Sequence, residues 1–302
     1  MIAIDVMGGD NAPLVVLQGA AEAAKKGIAV RLHGPEDVIM PWLTQHVPAW
    51  RDLPISISPT NEIIGMDEEP VFAVRKKQNS SLVNAVKDVA NGTCTAALSA
   101  GNSGAMMAAS AIIIGRDVGI ERPAIAGYVP TKKGLALALD LGANTECRPH
   151  HLVQFAYLGM VHAQEVMGIA NPRIGLLSNG HEDSKGSAVG KEAFVLLRQE
   201  AALNFIGNIE PSDIFEHKVD VIVTDGFSGN VLLKTMEAVT ELITSWHPEI
   251  AVDLDRRMVH TQCGGALLLG VKGTVIVCHG NADAKTMEQA ITFAWNMTKN
   301  KK

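Results

Sequence analysis

One rhythm runs through most of the chain: a short β-branched apolar run, then a longer stretch whose apolar residues recur at helical spacing. Residues 2–6 precede 13–26, 28–33 precede 35–46, and 95–98 precede 103–114. Further on, 135–139 precede 149–167, 173–177 precede 185–201, 219–223 precede 230–245, and 274–278 precede 283–297. A helix between two strands forces a crossover, and crossovers join parallel strands whose sheet must be covered on both faces. The pattern therefore predicts an α/β fold of three layers, α/β/α, around a mainly parallel sheet. No Pro/Ser-rich linker or fixed-period repeat interrupts it, so residues 1–302 read as a single α/β catalytic domain, with two lobes around a cleft as its variant. The least regular parts are 48–70, whose acids Asp67, Glu68 and Glu69 read as a solvated loop beside a site, and 245–262.

A chain of 302 residues that is 47% hydrophobic can bury a large core without metals or disulfides. Its net charge of -6 excludes a generally basic nucleic-acid binder, so any anionic partner must be met locally. Cys94, Cys147, Cys263 and Cys278 lack CxxC or zinc-type spacing and read as buried free thiols of a reducing cytosol. The first residues enter a strand rather than a signal peptide, and the most apolar windows are too short or too interrupted to span a bilayer, so a cytoplasmic location is expected.

Function is legible in the strand exits. Asp5 leads to Gly8, Gly9, Asp10 and Asn11; Ser99 leads to Gly101, Asn102, Ser103 and Gly104; Asp140 leads to Gly142, Ala143 and Asn144. Ser178-Asn179-Gly180, the run from Asp225 to Gly229 and Asn230, and His279-Gly280-Asn281 repeat the rule. In a parallel sheet these ends share one edge, where open α/β sheets place ligands, so the six exits are expected to build one composite site. Glycines let backbone N–H groups approach a ligand, and a following helix N-terminus adds oriented donors, so the rim should favour an anion. Asn102, Ser103 and Asn230 suit that role and would also cap their helices. Lys77 and Ser81, in the run from Arg75 to Ser81, and Lys185, beside Gly186, supply further candidates. No GxGxxG, Walker loop, HExxH, Gly-x-Ser-x-Gly elbow or metal-spaced His/Cys cluster is present, so the anion is held without those devices, and neither metal nor cofactor is expected.

The segments IDVMGGDNAP, RKKQNSSL, SAGNSGAMMA, RPAIA, LDLGANTECRPHHLVQFAYLGMVHA, PRIGLLSNGHEDSKG, NFIGNIE, DVIVTDGFSGNVLLKT and GGALLLGVKG resemble, in order, the PlsX family of acyl-carrier-protein:phosphate acyltransferases. The resemblance implies a fold similar to that of isopropylmalate dehydrogenases and phosphate acetyltransferases. It also implies a cytosolic homodimer, without cofactor, that moves a fatty acyl group from acyl carrier protein to inorganic phosphate for phospholipid synthesis. Two departures stand out. Ser178-Asn179-Gly180-His181 replaces an Asn-Ile-Gly-Glu type sequence, and the helical excursion at about 236–262 is shorter than its counterpart, which the family associates with dimer contacts and peripheral membrane attachment.

The implied chemistry is attack of a phosphate oxygen on a thioester carbonyl through a tetrahedral oxyanion. Backbone donors in the turns 101–104 and 226–230 would hold phosphate and oxyanion, and Asp225, His279 or Asp10 would manage the leaving thiol's proton. An acidic carrier protein would meet Arg256 and Arg257, or Lys132 and Lys133. The rival readings are a phosphate acetyl- or butyryltransferase using acyl-CoA, a decarboxylating dehydrogenase of similar topology, and a non-enzymatic scaffold that binds carrier protein or membrane.

Overall fold

A computed structural model of the chain describes residues 1–250 and 263–299. The chain forms two compact units, one grouping Met1–Gly119 with Gln262–Lys302 and the other holding Ile120–Thr261.

In the first unit the strands β1 (Ile2–Asp5), β2 (Val30–Gly34), β3 (Ile55–Pro59) and β4 (Ala96–Ser99) pair in parallel. The β-branched run 274–277 joins the same sheet beside β4, also parallel, and an antiparallel strand lies outside it. β1 and β4 are buried at every residue, as covering on both faces requires. Helices α1 (Leu14–Lys25), α2 (Glu36–His46), α3 (Pro70–Lys76), α4 (Ser81–Ala90) and α5 (Ser103–Ala109) alternate with or follow these strands. α4 shows why sequence makes a helix here: Leu82, Val83, Ala85 and Val86 form one buried stripe, and the Ser80 hydroxyl caps the Val83 amide.

The second unit begins with a hairpin, β5 (Ala124–Thr131) against β6 (Gly134–Leu139), turned by Lys132 and Lys133. Parallel pairing resumes through β6, β9 (Val221–Val223), β7 (Ile174–Leu177) and β8 (Phe205–Ile209), in that spatial order. Its core gathers Val129, Ala136, Ala138, Ile209, Ile214 and Ile222. The helices are α6 (Pro149–Glu165), α7 (Ala188–Gln199), α8 (Pro211–Phe215) and α9 (Gly226–Trp246). The first unit is completed by β10 (Ala266–Leu269), β11 (Thr274–Val277) and α10 (Ala284–Lys299). The three-layer, mainly parallel expectation holds in both units, each with one antiparallel strand that the sequence rhythm did not announce.

The 48–70 segment holds more order than its sequence promised, since β3 lies within it. Two of its acids, Glu68 and Glu69, are tethers rather than free surface charges. Glu69 caps α3 by accepting from the amides of Val71 and Phe72, and Glu68 accepts from the Gly65 amide and from Lys77. The expected excursion is helical through Trp246, while residues 251–262, including Arg256 and Arg257, lie outside the described residues. Among the described residues no helix is long and apolar enough to cross a membrane.

Candidate active site

Parallel pairing sets the exits of β1, β4 and β11 side by side on one edge of the first unit's sheet. The edge is stitched by short polar links. Asp5, the last residue of β1, is buried; its Oδ2 accepts the Ser99 hydroxyl at 2.7 Å and its Oδ1 the Met7 amide at 3.3 Å. Ser81, at the start of α4, also bonds the Asp5 carboxyl. The Ser99 oxygen in turn accepts the Gly101 amide at 2.9 Å, so β1 and β4 end as one unit. Burial pushes the Asp5 carboxyl above its ordinary pKa, opposed by the hydroxyls of Ser81 and Ser99 and the Met7 amide. Gly8 is obligatory for space, since a Cβ there would sit 2.5 Å from Asp5 Oδ2 and 2.7 Å from the Gly101 nitrogen. The β11 exit joins through the Asp10 amide, which donates to the Gly280 carbonyl at 2.8 Å.

The chain from 63 to 77 is clamped against this rim. Asn102 is buried and works in both directions: Oδ1 caps the Ala105 amide, and Nδ2 donates to the carbonyls of Gly65, Met66 and Glu68. Lys77 closes the same loop, donating to the Ile63 carbonyl at 2.7 Å and to Glu68 at 2.6 Å. Gly104 faces Pro70 closely. Ser103, Asp10 and His279 are exposed on this rim, and Ser103 and Gly104 carry first-turn amides that have no intrahelical acceptor.

The second unit repeats the plan with different wiring. Asp140 follows β6, is fully buried, and accepts the amides of Ile125, Gly142, Ala143 and Asn144 together with Asn144 Nδ2. Burial raises its pKa against those bonds. Asn144 also donates to the Pro123 carbonyl, so its side chain is spent inside the fold. Asp225 is the N-cap of α9, accepting the Ser228 amide at 2.8 Å and hydroxyl at 3.0 Å. Gly229 sits directly over the Asp140 carbonyl, where any Cβ would collide, and Gly142 lies against the Asn230 side chain. Asn230 and Lys185 are exposed. Lys185 packs its stem on Gly180 at the β7 exit, where the Asn179 Oδ1 accepts the Gly186 amide.

Thus the expected exits do meet within each unit. Gly8, Gly9, Asp10, Gly101, Asn102, Ser103, Gly104 and His279 belong to the first rim; Asn144, Asp225, Gly229 and Asn230 belong to the second, with Lys185 at the parallel exit of β7. Lys77 and Ser81 hold the first rim from behind through Glu68 and Asp5. Sequence reasoning placed Asp5 and Asp140 at the strand exits but gave neither a role in the site. Their signal was an acid closing an apolar run with glycine two or three residues on.

Two further clusters lie in the second unit. His181 Nε2 is 2.6 Å from Asp213 Oδ2, and Lys218 takes the other oxygen. Burial pushes Asp213 up, but Lys218, the Glu210 amide and His181 outweigh it and hold it down to about 2. Glu121, His150 and His151 also converge, with both imidazole Nε2 atoms within 3.2 Å of Glu121 Oε2. His151 Nδ1 accepts the Arg148 amide, so the neutral ring carries its proton on Nε2 and donates it to Glu121. A metal-ligating imidazole has the reverse arrangement, with its second nitrogen donating; this trio is wired as a hydrogen-bonded cap for α6.

Comparison with known proteins places the chain. The family described as "Fatty acid synthesis protein" matches residues 1–302. A phosphate acyltransferase of Trichlorobacter lovleyi is 44% identical over 311 residues, covering 97% of this chain and 89% of that protein. One from a Geobacillus species is 43% identical over 319 residues, covering 99% and 95%. Among solved structures, a phosphotransacetylase from Streptococcus pyogenes aligns with TM-score 0.65 at 18% identity, covering 98% of this chain and 93% of that one. A branched-chain phosphotransacylase from Enterococcus faecalis aligns with TM-score 0.64 at 15% identity and 99% coverage of both, a likeness of fold. Matched from end to end by that description, and this similar to phosphate acyltransferases over nearly its whole length, the chain belongs to the fatty acid synthesis protein family, the PlsX family that its nine collinear segments resemble.

Proposed function

We propose that the protein transfers a fatty acyl group from the thiol of acyl carrier protein to inorganic phosphate, yielding an acyl phosphate for phospholipid synthesis. Family membership supports the reaction class. The observation that carries the reading is the first unit's rim, where glycine-spaced amides and a hydroxyl gather at adjacent parallel strand ends and leave space at Gly8 only for backbone.

In this reading a phosphate oxygen attacks the thioester carbonyl, the C–O bond forms, and the tetrahedral oxyanion collapses by breaking the C–S bond. The thiolate leaves and takes up a proton. Amides at Gly8, Gly9, Ser103 and Gly104 hold the phosphate, a task that charge-free donors perform without adding a mobile counter-ion. His279, exposed on the β11 exit, supplies the proton, with Asp10 beside it through the Asp10–Gly280 link. Asp225, already engaged by Ser228, contributes by fixing the start of α9. Lys185 and Asn230 offer exposed polar groups on the second unit. A homodimer, peripheral membrane attachment and carrier docking at Arg256 and Arg257 complete the proposal.

The test is phosphate-dependent release of carrier-protein thiol from a palmitoyl thioester, run beside palmitoyl-CoA. The reading expects release that needs both phosphate and enzyme, falls at least about tenfold in His279→Ala, and favours the carrier thioester. Thiol release that ignores phosphate would overturn it.

A further inference from the structure

We propose that Asp5 is a positioning residue for phosphate: acting through Ser99, which holds the Gly101 amide, its buried carboxylate locks the 7–9 turn and the 101–104 turn into one anion-binding surface. The inference rests on the phosphate reading above and names how that site is held in shape.

Three elements end on this one carboxyl group. It receives the Met7 amide from its own turn, the Ser99 hydroxyl from the neighbouring strand, and the Ser81 hydroxyl from the first turn of α4. Ser99 is a relay rather than an end point, because the oxygen that gives its proton to Asp5 accepts the Gly101 amide. Gly8 fills the remaining space, with Asp5 Oδ2, the Gly101 nitrogen and Ser99 Oγ all within 2.8 Å of where its Cβ would be. A small displacement of the carboxyl therefore moves both glycine turns together.

The placement carries an electrostatic cost. A carboxylate beneath an anion site repels the ligand, and burial makes its charged form dearer still. What an aspartate offers at this position is acceptor geometry: two oxygens and, when ionised, no proton of its own. Asparagine in its place would set an NH₂ against either the Met7 amide or the serine hydroxyls. Charge and geometry thus make opposite predictions for one substitution. If Asp5 acts only by charge, Asp5→Asn tightens phosphate binding; if it positions the turns, Asp5→Asn weakens it.

The experiment measures KM for phosphate and for acyl carrier thioester in wild type, Asp5→Asn, Asp5→Ala and Ser99→Ala, each variant checked by denaturant unfolding. The expected phosphate KM rises about threefold in Ser99→Ala and about tenfold in Asp5→Ala, with Asp5→Asn between them, while the thioester KM stays within about twofold. A phosphate KM at or below the wild-type value in Asp5→Asn and Ser99→Ala, or a thioester KM that climbs in parallel, overturns the assignment. If Asp5→Ala does not fold, Ser99→Ala decides alone, since it keeps the carboxylate and removes one relay hydroxyl. If wild type releases no thiol with phosphate present, the functional reading has failed. The positioning claim is then judged by inorganic phosphate in thermal unfolding, where wild type gains Tm and Ser99→Ala gains less; equal gains reject it.

Discussion

In the first unit Asp5 accepts a single backbone amide and two serine hydroxyls, whereas in the second unit Asp140 accepts four backbone amides and the Asn144 side chain. Both acids are buried at the exit of a parallel strand, and burial raises the pKa of both. The difference lies in what each leaves over. Asp140 absorbs the donors of its own loop, so that the 140–144 turn is satisfied from within. Asp5 is satisfied largely by hydroxyls from other elements, so it ties β1 to β4 and α4 rather than closing its own loop. One topological position closes its own loop in one unit and links neighbouring elements in the other.

The largest effect that sharpens this contrast is expected from Asp140→Ala. Four amides would lose their acceptor in a buried site, and stability should fall by about 4 kcal/mol; urea unfolding that shows under about 1 kcal/mol would erase the distinction between the rims.

Acidification separates the units next. Burial pushes His33, beside Asp5 on the neighbouring strand, down to about 4, partly offset by Asp88. A histidine held below its unfolded pKa of 6.5 keeps its full contribution above pH 6.5 and loses it as pH falls toward 4, a change of up to about 3 kcal/mol. In the second unit the Asp213 contribution is intact above pH 3.8 and lost only as pH falls toward 2. Asp5 and Asp140 have the opposite sign: their raised folded pKa favours the folded state on acidification and weakens it as pH rises through the folded value. Segment-resolved hydrogen exchange at pH 5 should therefore show the first unit opening before the second; simultaneous opening would break the comparison.

A matched pair of glycine substitutions gives a smaller effect. Gly8→Ala crowds Asp5 and the Gly101 amide, so phosphate-dependent turnover should drop about tenfold. Gly229→Ala meets the Asp140 carbonyl and should show itself chiefly as lowered thermal stability. Interchanged phenotypes would mean that the roles of the two rims are reversed. The smallest effect belongs to Lys77→Met, which frees the 63–69 loop from Glu68 and the Ile63 carbonyl. Turnover should change by about twofold or less, as for a half-exposed ion pair, while limited proteolysis cuts the loop faster.

The sequence carried the gathering of strand exits because glycine and small polar residues at one end of successive apolar runs have a direct physical meaning in parallel pairing. Asp5, Ser99, Asp140 and Asp225 all appeared at those exits. Their division of labour did not. Asn102 read equally well as a ligand contact and as a cap, and Asp225 as a proton-handling group; in the fold both spend acceptors on capping while Asn102 also ties down the 65–68 carbonyls. Glu68 read as a solvated charge and Lys77 as an anion contact because nothing in a local stretch announces a partner nine residues away across a loop.

By itself, the order of apolar runs and glycine punctuation determined the α/β class, the parallel pairing and the edge on which the glycine-rich exits gather, since strand period, crossover and backbone freedom are properties of short segments. Only the tertiary structure decided which donors and acceptors were consumed by the fold, because a carboxylate buried at a strand end takes whichever hydroxyl or amide packing brings within 3 Å. Desolvation at that position makes the choice costly to reverse.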